Sequence, residues 1–207
     1  GFYREQTQGH GFSANLQLLD SDFDSGLTSQ VGNLRLGWSW RPANSEWIIY
    51  DHLDFIYEKN SSNDNSVRTG KIINNLNANW MINLDTQLEL QYGGKYSRTH
   101  IDDDSYSSYT DILGAGMRRN IGTRWDVGIH GDVLHSWNSD VQSFGWGMDV
   151  GVTILDNFWI SLGYNFDGFN DEDFSKADFT AKGPYIKFRI KADQDTFHNL
   201  INREAAQ

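Results

Sequence analysis

The chain has 207 residues and a formal net charge of −11, with 28 acids against 17 bases. It holds no Cys, 20 Gly, 8 Trp and 12 Phe, and its hydrophobic fraction is 38%. The absence of Cys excludes thiol catalysis, disulfide frameworks and Cys-based zinc sites, the negative balance argues against a nucleic-acid partner, and no apolar run is long enough for a membrane helix.

Taken in chain order, the sequence alternates with period two rather than with helical spacing. Ten such segments run at 10–20, 29–41, 46–58, 68–82, 86–98, 108–121, 124–136, 142–154, 158–170 and 182–192. Leu34-Arg35-Leu36-Gly37-Trp38-Ser39-Trp40 sets the beat early. Leu88-Glu89-Leu90-Gln91-Tyr92, Trp125-Asp126-Val127-Gly128-Ile129 and Phe144-Gly145-Trp146-Gly147-Met148 repeat it, and Ile186-Lys187-Phe188-Arg189-Ile190 closes it. Segments of about 11–15 residues exceed the usual globular strand of about 5–6, and a tilted membrane strand needs about 9–11.

The connections alternate as well. Pro42–Ser45, Asn83–Asp85, Gly122–Thr123 and Leu155–Asn157 are short, whereas Asn60–Asn65, His100–Asp104 and Asn170–Ala181 are longer and polar. Short turns at one end and long loops at the other, with an even strand count, characterise outer-membrane barrels, and open sheet edges are not tolerated in lipid. The expected fold is therefore all-β: a closed, antiparallel, up-and-down transmembrane β-barrel of about ten strands in the bacterial outer membrane. Residues 1–9 are expected as a periplasmic N-terminal segment, 10–192 as the barrel and 193–207 as a periplasmic tail. Both termini then lie in the periplasm, and the start at Gly1 rather than Met reads as a mature or excised chain.

Trp40, Trp47, Trp80, Trp125 and Trp159 flank the short turns, where amphipathic rings anchor a strand at the membrane interface. Tyr57, Tyr96, Tyr109, Phe144 and Phe169 would form the opposite girdle. Large residues facing lipid leave the intervening ones facing a lumen. The lumen bases are Arg35, Lys71, Lys95, Arg118, Lys187, Arg189 and Lys191; the lumen acids are Asp54, Glu58, Glu89, Asp126, Asp132 and Asp149. His52, Asn75, Asn77, Asn79, Gln87, Gln91, His130 and Asn165 add hydrogen-bonding groups. Buried charges persist only when paired, so this near-neutral set points to an ion-paired filling. A barrel of about eight strands is just filled by its side chains, which predicts a plugged lumen rather than a general pore. Most of the surplus negative charge falls in the long loops.

Candidate chemistry is sparse. Asp20, Asp22 and Asp24 are spaced two apart ahead of Gly26, like the first half of a calcium loop, but the closing Glu is absent. No cofactor is expected; the alternative is Ca²⁺ at this loop, or Ca²⁺ or Mg²⁺ bridging Asp102-Asp103-Asp104 or Asp171-Glu172-Asp173 to lipopolysaccharide phosphate. His100 with Asp102, or His135 with Asp132 or Asp140, are placed as rim proteases of the ten-stranded omptin type would require, although the omptin motifs do not match in order. His135-Ser136 is adjacent rather than spaced as in lipid A deacylases. The expectation is that the chain is not an enzyme; the alternatives are a narrow channel for small solutes or ions and a rim-located omptin-like protease or lipid-modifying enzyme.

Gly183-Pro184-Tyr185-Ile186-Lys187-Phe188 matches in part the C-terminal signal of outer-membrane barrels, and so implies the barrel-assembly machinery as a partner. After it, Asp195 could cap a short helix over Phe197, Leu200 and Ile201. Asn74–Trp80, Arg124–Gly128, Leu134–Asn138 and Leu162–Phe169 resemble the C-terminal outer-membrane barrel regions of large repeat-containing Gram-negative surface proteins. The resemblance spans roughly residues 68–192 and carries no catalytic residue. It implies an anchor or scaffold of a cell-surface or envelope assembly, embedded in outer-membrane lipid and lipopolysaccharide, with another envelope protein or an N-terminal passenger as partner. With Gly1 periplasmic, such a passenger would have to stay there or thread a filled lumen.

Overall fold

The computed structural model describes residues 1–6, 8–23, 26–62, 65–155, 158–171, 173–174 and 182–190. They form one antiparallel sheet of eleven strands in strict sequence order, and among them there is no helix. The strands are β1 Phe2–Glu5, β2 His10–Asp22, β3 Thr28–Trp40, β4 Trp47–Ser61, β5 Ser66–Asn83 and β6 Thr86–Ile101. They continue with β7 Asp104–Ile121, β8 Trp125–Ser136, β9 Val141–Leu155, β10 Phe158–Asp167 and β11 Gly183–Ile190. β1 and β11 form the two edges, and no pairing joins them among the described residues.

Ten of these strands coincide with the ten alternating segments. The eleventh is β1, which lies within the stretch expected as an N-terminal segment. It pairs with β2 from Phe2↔Ala14 to Glu5↔Gly11. Four residues are too few for a period-two signal to emerge, but the reversal after them has a local cause. Gln8 and Gly9 both take positive φ, 81° and 78°. A Cβ on Gly9 would lie 2.5 Å from the carbonyl carbon of Arg41, so only glycine allows this approach. The Gly9 carbonyl then accepts the Arg41 N–H at 2.7 Å.

The loops expected to be long are partly strand. β5 and β7 each run 18 residues, and β6–β7 pairing continues to Ile101↔Asp104. Only Asp102 and Asp103 remain as the turn, Asp102 with a φ of 51°. Apolar alternation fades there while the backbone ladder, which needs no apolar side chain, continues. The helix expected around 195–203, like the whole tail 193–207, lies outside the described residues, as do Asp24 and Lys191.

One face of the sheet is buried and the other is not. His52, Asp54, Ile73, Asn75, Gln91, Ile112, Asp126, Asp149, Ser161 and Asn165 share the buried phase. With no second layer among the described residues, a single sheet covers one of its own faces only by curling around it. On the opposite phase, Leu113, Ile129, Leu162 and Ile186 are each at least 60% exposed.

Candidate functional site: the polar inner face and its cap

Register shows how the inner face is filled. Five successive strands place Arg118, Gly128, Asp149, Gly163 and Tyr185 side by side. The next row reads Glu89, Gly116, His130, Gly147 and Asn165 from β6 to β10. Another reads Gln91, Gly114, Asp132 and Gly145. Long polar side chains alternate with glycine, so each long one lies over a neighbour that has none. A Cβ on Gly147 would come 2.8 Å from the His130 ring. The His130 Nε2 and Asn165 Oδ1 instead meet above it, 3.1 Å apart.

Three ionic clusters follow from these rows. Arg35 donates from Nε and Nη2 to Asp54 at 2.6 and 3.1 Å, and His52 Nε2 lies 3.3 Å from the same carboxylate, which is 3% exposed. Arg118 donates through Nη1 to Asp126 and through Nη2 to Asp149, the latter at 2.6 Å. The Tyr185 hydroxyl reaches the other oxygen of Asp149 at 3.4 Å. The third cluster joins strands to the segment that follows β10. Lys95 Nζ donates to Asp171 at 2.6 Å and to Asp173 at 3.0 Å, and Lys71 Nζ lies 3.3 Å from Asp173.

That segment caps part of the inner face. Phe174 is fully buried and forms the apolar cluster with Ile73 of β5 and Ile112 of β7, with Ile56, Leu134 and Phe169 around it. It sits over Gly93, where a Cβ would lie 2.6 Å from the ring. Burial pushes the Asp173 carboxyl up, but the ammonium groups of Lys95 and Lys71 outweigh it and hold the group below the usual carboxylate range.

The sequence assigned Lys71 and Lys95 to the lumen but Asp171 and Asp173 to the external loops. The structure turns both acids inward, onto those two lysines. Asp132 and Glu89 take the inner phase in the glycine rows, and Glu58 takes it near the far end of β4. The Lys187 ammonium stands 4.7 Å from the centre of the Tyr185 ring, and Arg189 is exposed on the edge strand opposite Trp159.

No family model matches the chain, and no curated protein matches it. Among solved structures it is similar to one described as the NanC porin in a rhombohedral crystal form. The two are 8% identical, with a TM-score of 0.47, over 90% of this chain and 96% of that one.

Four of the five Trp assigned to the interface point outward beside the short turns. Trp47 and Trp80 are register partners and stack with ring centres 5.3 Å apart, and Trp40 and Trp125 share the outward phase. Trp159 differs: it shares the phase of Ser161, Gly163 and Asn165 and belongs to the inner face. Phe169 likewise packs inward, against Gly145 and the Phe174 cluster, while Tyr57, Tyr96, Tyr109 and Phe144 point outward. The outward face also carries polar side chains. Asn74 donates to Asp51 at 2.8 Å, and Asp111 lies on the same phase opposite His135.

The residues singled out for hydrolysis fall into two pairs, His100 with Asp102 and His135 with Asp140. His100 lies on the outward face at the tip of the β6–β7 hairpin, and Asp102 accepts the Ser66 N–H at 3.2 Å. His135 Nε2 is 3.5 Å from Asp140 and its ring packs on Trp137, but Asp132 and Ser136 alternate to the other face. Asp20 and Asp22 pair with Gln30 and Thr28 within β2–β3. Among the described residues, no group of three or more acids and histidines could hold a metal ion.

A cavity of about 280 Å³ remains on the inner face between β6 and β11. Gln91, Arg118, His130, Asp132, Tyr185 and Lys187 are among the residues that line it. Gln91 is 2% exposed, and neither of its amide atoms has a protein partner. A polar cavity of this size suits ordered water, which would satisfy that amide. The glycine rows were the signal missed in the sequence: Gly114 and Gly116, or Gly145, Gly147 and Gly151, repeat with period two on the inner phase.

Proposed function

We propose that the chain is a bacterial outer-membrane β-barrel acting as an anchor or scaffold of an envelope assembly. The observation that supports this most strongly is the inversion of the two faces. Ion pairs and amides fill the buried face, while Leu, Ile, Val, Phe and Trp occupy the exposed one. A water-soluble sheet would bury its large apolar side, because monomers rarely expose apolar patches beyond a few hundred Å². A sheet immersed in hydrocarbon presents that side to lipid and closes its edges. On this reading the seam forms between β11 and the β1–β2 edge, and the Trp40, Trp47, Trp80 and Trp125 end lies at one interface. The resemblance of 68–192 to barrel regions of repeat-containing surface proteins agrees with the anchor role, which requires no reaction.

The filled inner face favours an anchor over a channel. The polar rows between β6 and β11 leave a cavity of about 280 Å³, while Asp171, Asp173 and Phe174 lie on the inner face against Lys71, Lys95, Ile73 and Ile112 of β5, β6 and β7. The chain refolded in detergent is expected to migrate differently before and after boiling and to give no large steady openings in planar bilayers. Folding in plain buffer would remove the membrane reading. Steady nanosiemens openings would leave the barrel in place and replace the anchor by a channel.

A further inference from the structure

The outward face changes character within two register rows. Leu16, Leu34, Phe55, Ile72, Tyr96 and Tyr109 lie side by side from β2 to β7. One row towards the β4–β5 and β6–β7 hairpin tips come Tyr57, Gly70 and Arg98 on β4 to β6. The next row places Lys59, Arg68 and His100 on the same three strands. Two arginines, a lysine and a histidine thus gather directly beyond the aromatic edge of the apolar face, in a chain of net charge −11.

These residues enclose a cleft. Tyr57, Arg68, Gly70, Arg98 and His100 line a cavity of about 430 Å³ together with Ser66 and Asp102. Gly70 leaves its floor open, because no atom lies within 4 Å of where its Cβ would stand. Among the described residues, no carboxylate lies within ion-pair distance of Lys59, Arg68 or Arg98. Among the described residues that line the cleft the one acid is Asp102, whose Oδ1 accepts the Ser66 N–H at 3.2 Å. Four of the inner-face cations differ in this respect: Arg35, Lys71, Lys95 and Arg118 each hold a carboxylate.

We propose that this cleft binds the phosphate group of a phosphorylated lipid headgroup in the outward leaflet, with Arg68 and Arg98 as the two forks. The inference rests on the membrane reading above. Guanidinium groups match phosphate oxygens in pairs, and two unpaired ones across a glycine floor favour a compact dianion over scattered surface charge. Tyr57, in the row of Arg98 and next to the apolar row, supplies the amphipathic surface against which the lipid's glycerol or sugar base rests. The position decides for a lipid over a soluble phosphate, since the cleft opens on the face whose next row is apolar.

The test is native mass spectrometry of the detergent-refolded chain, with bis-phosphorylated lipid A as probe, its dephosphorylated form as comparison and millimolar inorganic phosphate as competitor. Retention of one phosphorylated lipid is expected, falling at least tenfold in the Arg68→Gln/Arg98→Gln variant. It should remain unchanged in Arg119→Gln, which removes an arginine from the opposite end of the sheet. Equal retention by the double variant, or equal retention of the dephosphorylated lipid by the unaltered chain, would overturn the proposal; the second comparison holds even if the variant does not fold. Displacement by inorganic phosphate would overturn the assignment to lipid. Failure of the membrane reading shows separately, as loss of the heat-dependent shift in the same sample.

Discussion

Arg118 and Asp149 stand on strands that are not neighbours, β7 and β9, yet their side chains meet at 2.6 Å over Gly128 of β8. Glycine is what makes that contact available. A Cβ at position 128 would lie 2.9 Å from both Arg118 Nη2 and Asp149 Oδ2. Gly128→Val is therefore expected to separate the pair and strand a carboxylate that is 4% exposed, at a cost of about 3 kcal/mol. Urea unfolding followed by Trp fluorescence in detergent checks this. A midpoint within error of the unaltered chain would mean that the inner face yields without loss of the pair.

Phe174 tests the cap in the same way from the apolar side. It is fully buried although it belongs to a connection, and Gly93 leaves the space for its ring. Phe174→Ala is expected to cost about 3 kcal/mol, the range for deleting a core aromatic. Gly93→Leu should give a similar loss by filling the ring's place. In both variants, proteolysis within 168–174 should become faster while cleavage at the β6–β7 hairpin stays unchanged, which separates release of the cap from global unfolding.

How much of this was legible in the sequence depends on what each feature's signal was. Strands whose side chains alternate sharply, such as 34–40 and 144–150, appear in the structure where the sequence places them, because period two is a property of the chain itself. β1 was missed because four residues carry no period. The inward turn of Asp171 and Asp173 was missed for a different reason: a polar loop looks the same whether it faces water or a pair of lysines on strands 76 residues or more away. Trp159 and Phe169 were assigned outward from their distance to a turn, whereas the phase of Ser161, Gly163 and Asn165 would have placed Trp159 on the inner face.

Acid should loosen the cap before it loosens the sheet. Asp173 titrates below the usual value of 3.8 when docked, so the folded state binds its proton less readily than the released segment does. A depressed carboxylate contributes stability above the unfolded pKa, and that contribution is lost as pH falls through the lower, folded value. Docking of 168–174 is therefore expected to be constant from neutral pH down to about pH 5 and to weaken below 3.8. Amide exchange of the segment, measured against that of β5, reads this directly. In Lys95→Met the acid dependence should be smaller, because the larger share of the attraction is gone. Cap exchange that rises instead from pH 8 to 5 would contradict the sign.

The seam offers the sharpest test of closure, and the absence of Cys makes it practical. β1 covers β2 only between Gly11 and Ala14, so the stretch of β2 beyond it, Asn15 to Asp22, has one unpaired edge. β11 has another along Gly183–Ile190. In hydrocarbon, each unpaired backbone group costs several kcal/mol, which drives two such edges together. Paired single-Cys substitutions across 15–22 and 184–190 are expected to cross-link along one register line, with partners two residues off the line reacting far less. Cross-linking must appear in the refolded monomer and disappear on boiling before oxidation. If no pair reacts within the monomer while pairs react between chains, the edges are joined between copies rather than within one.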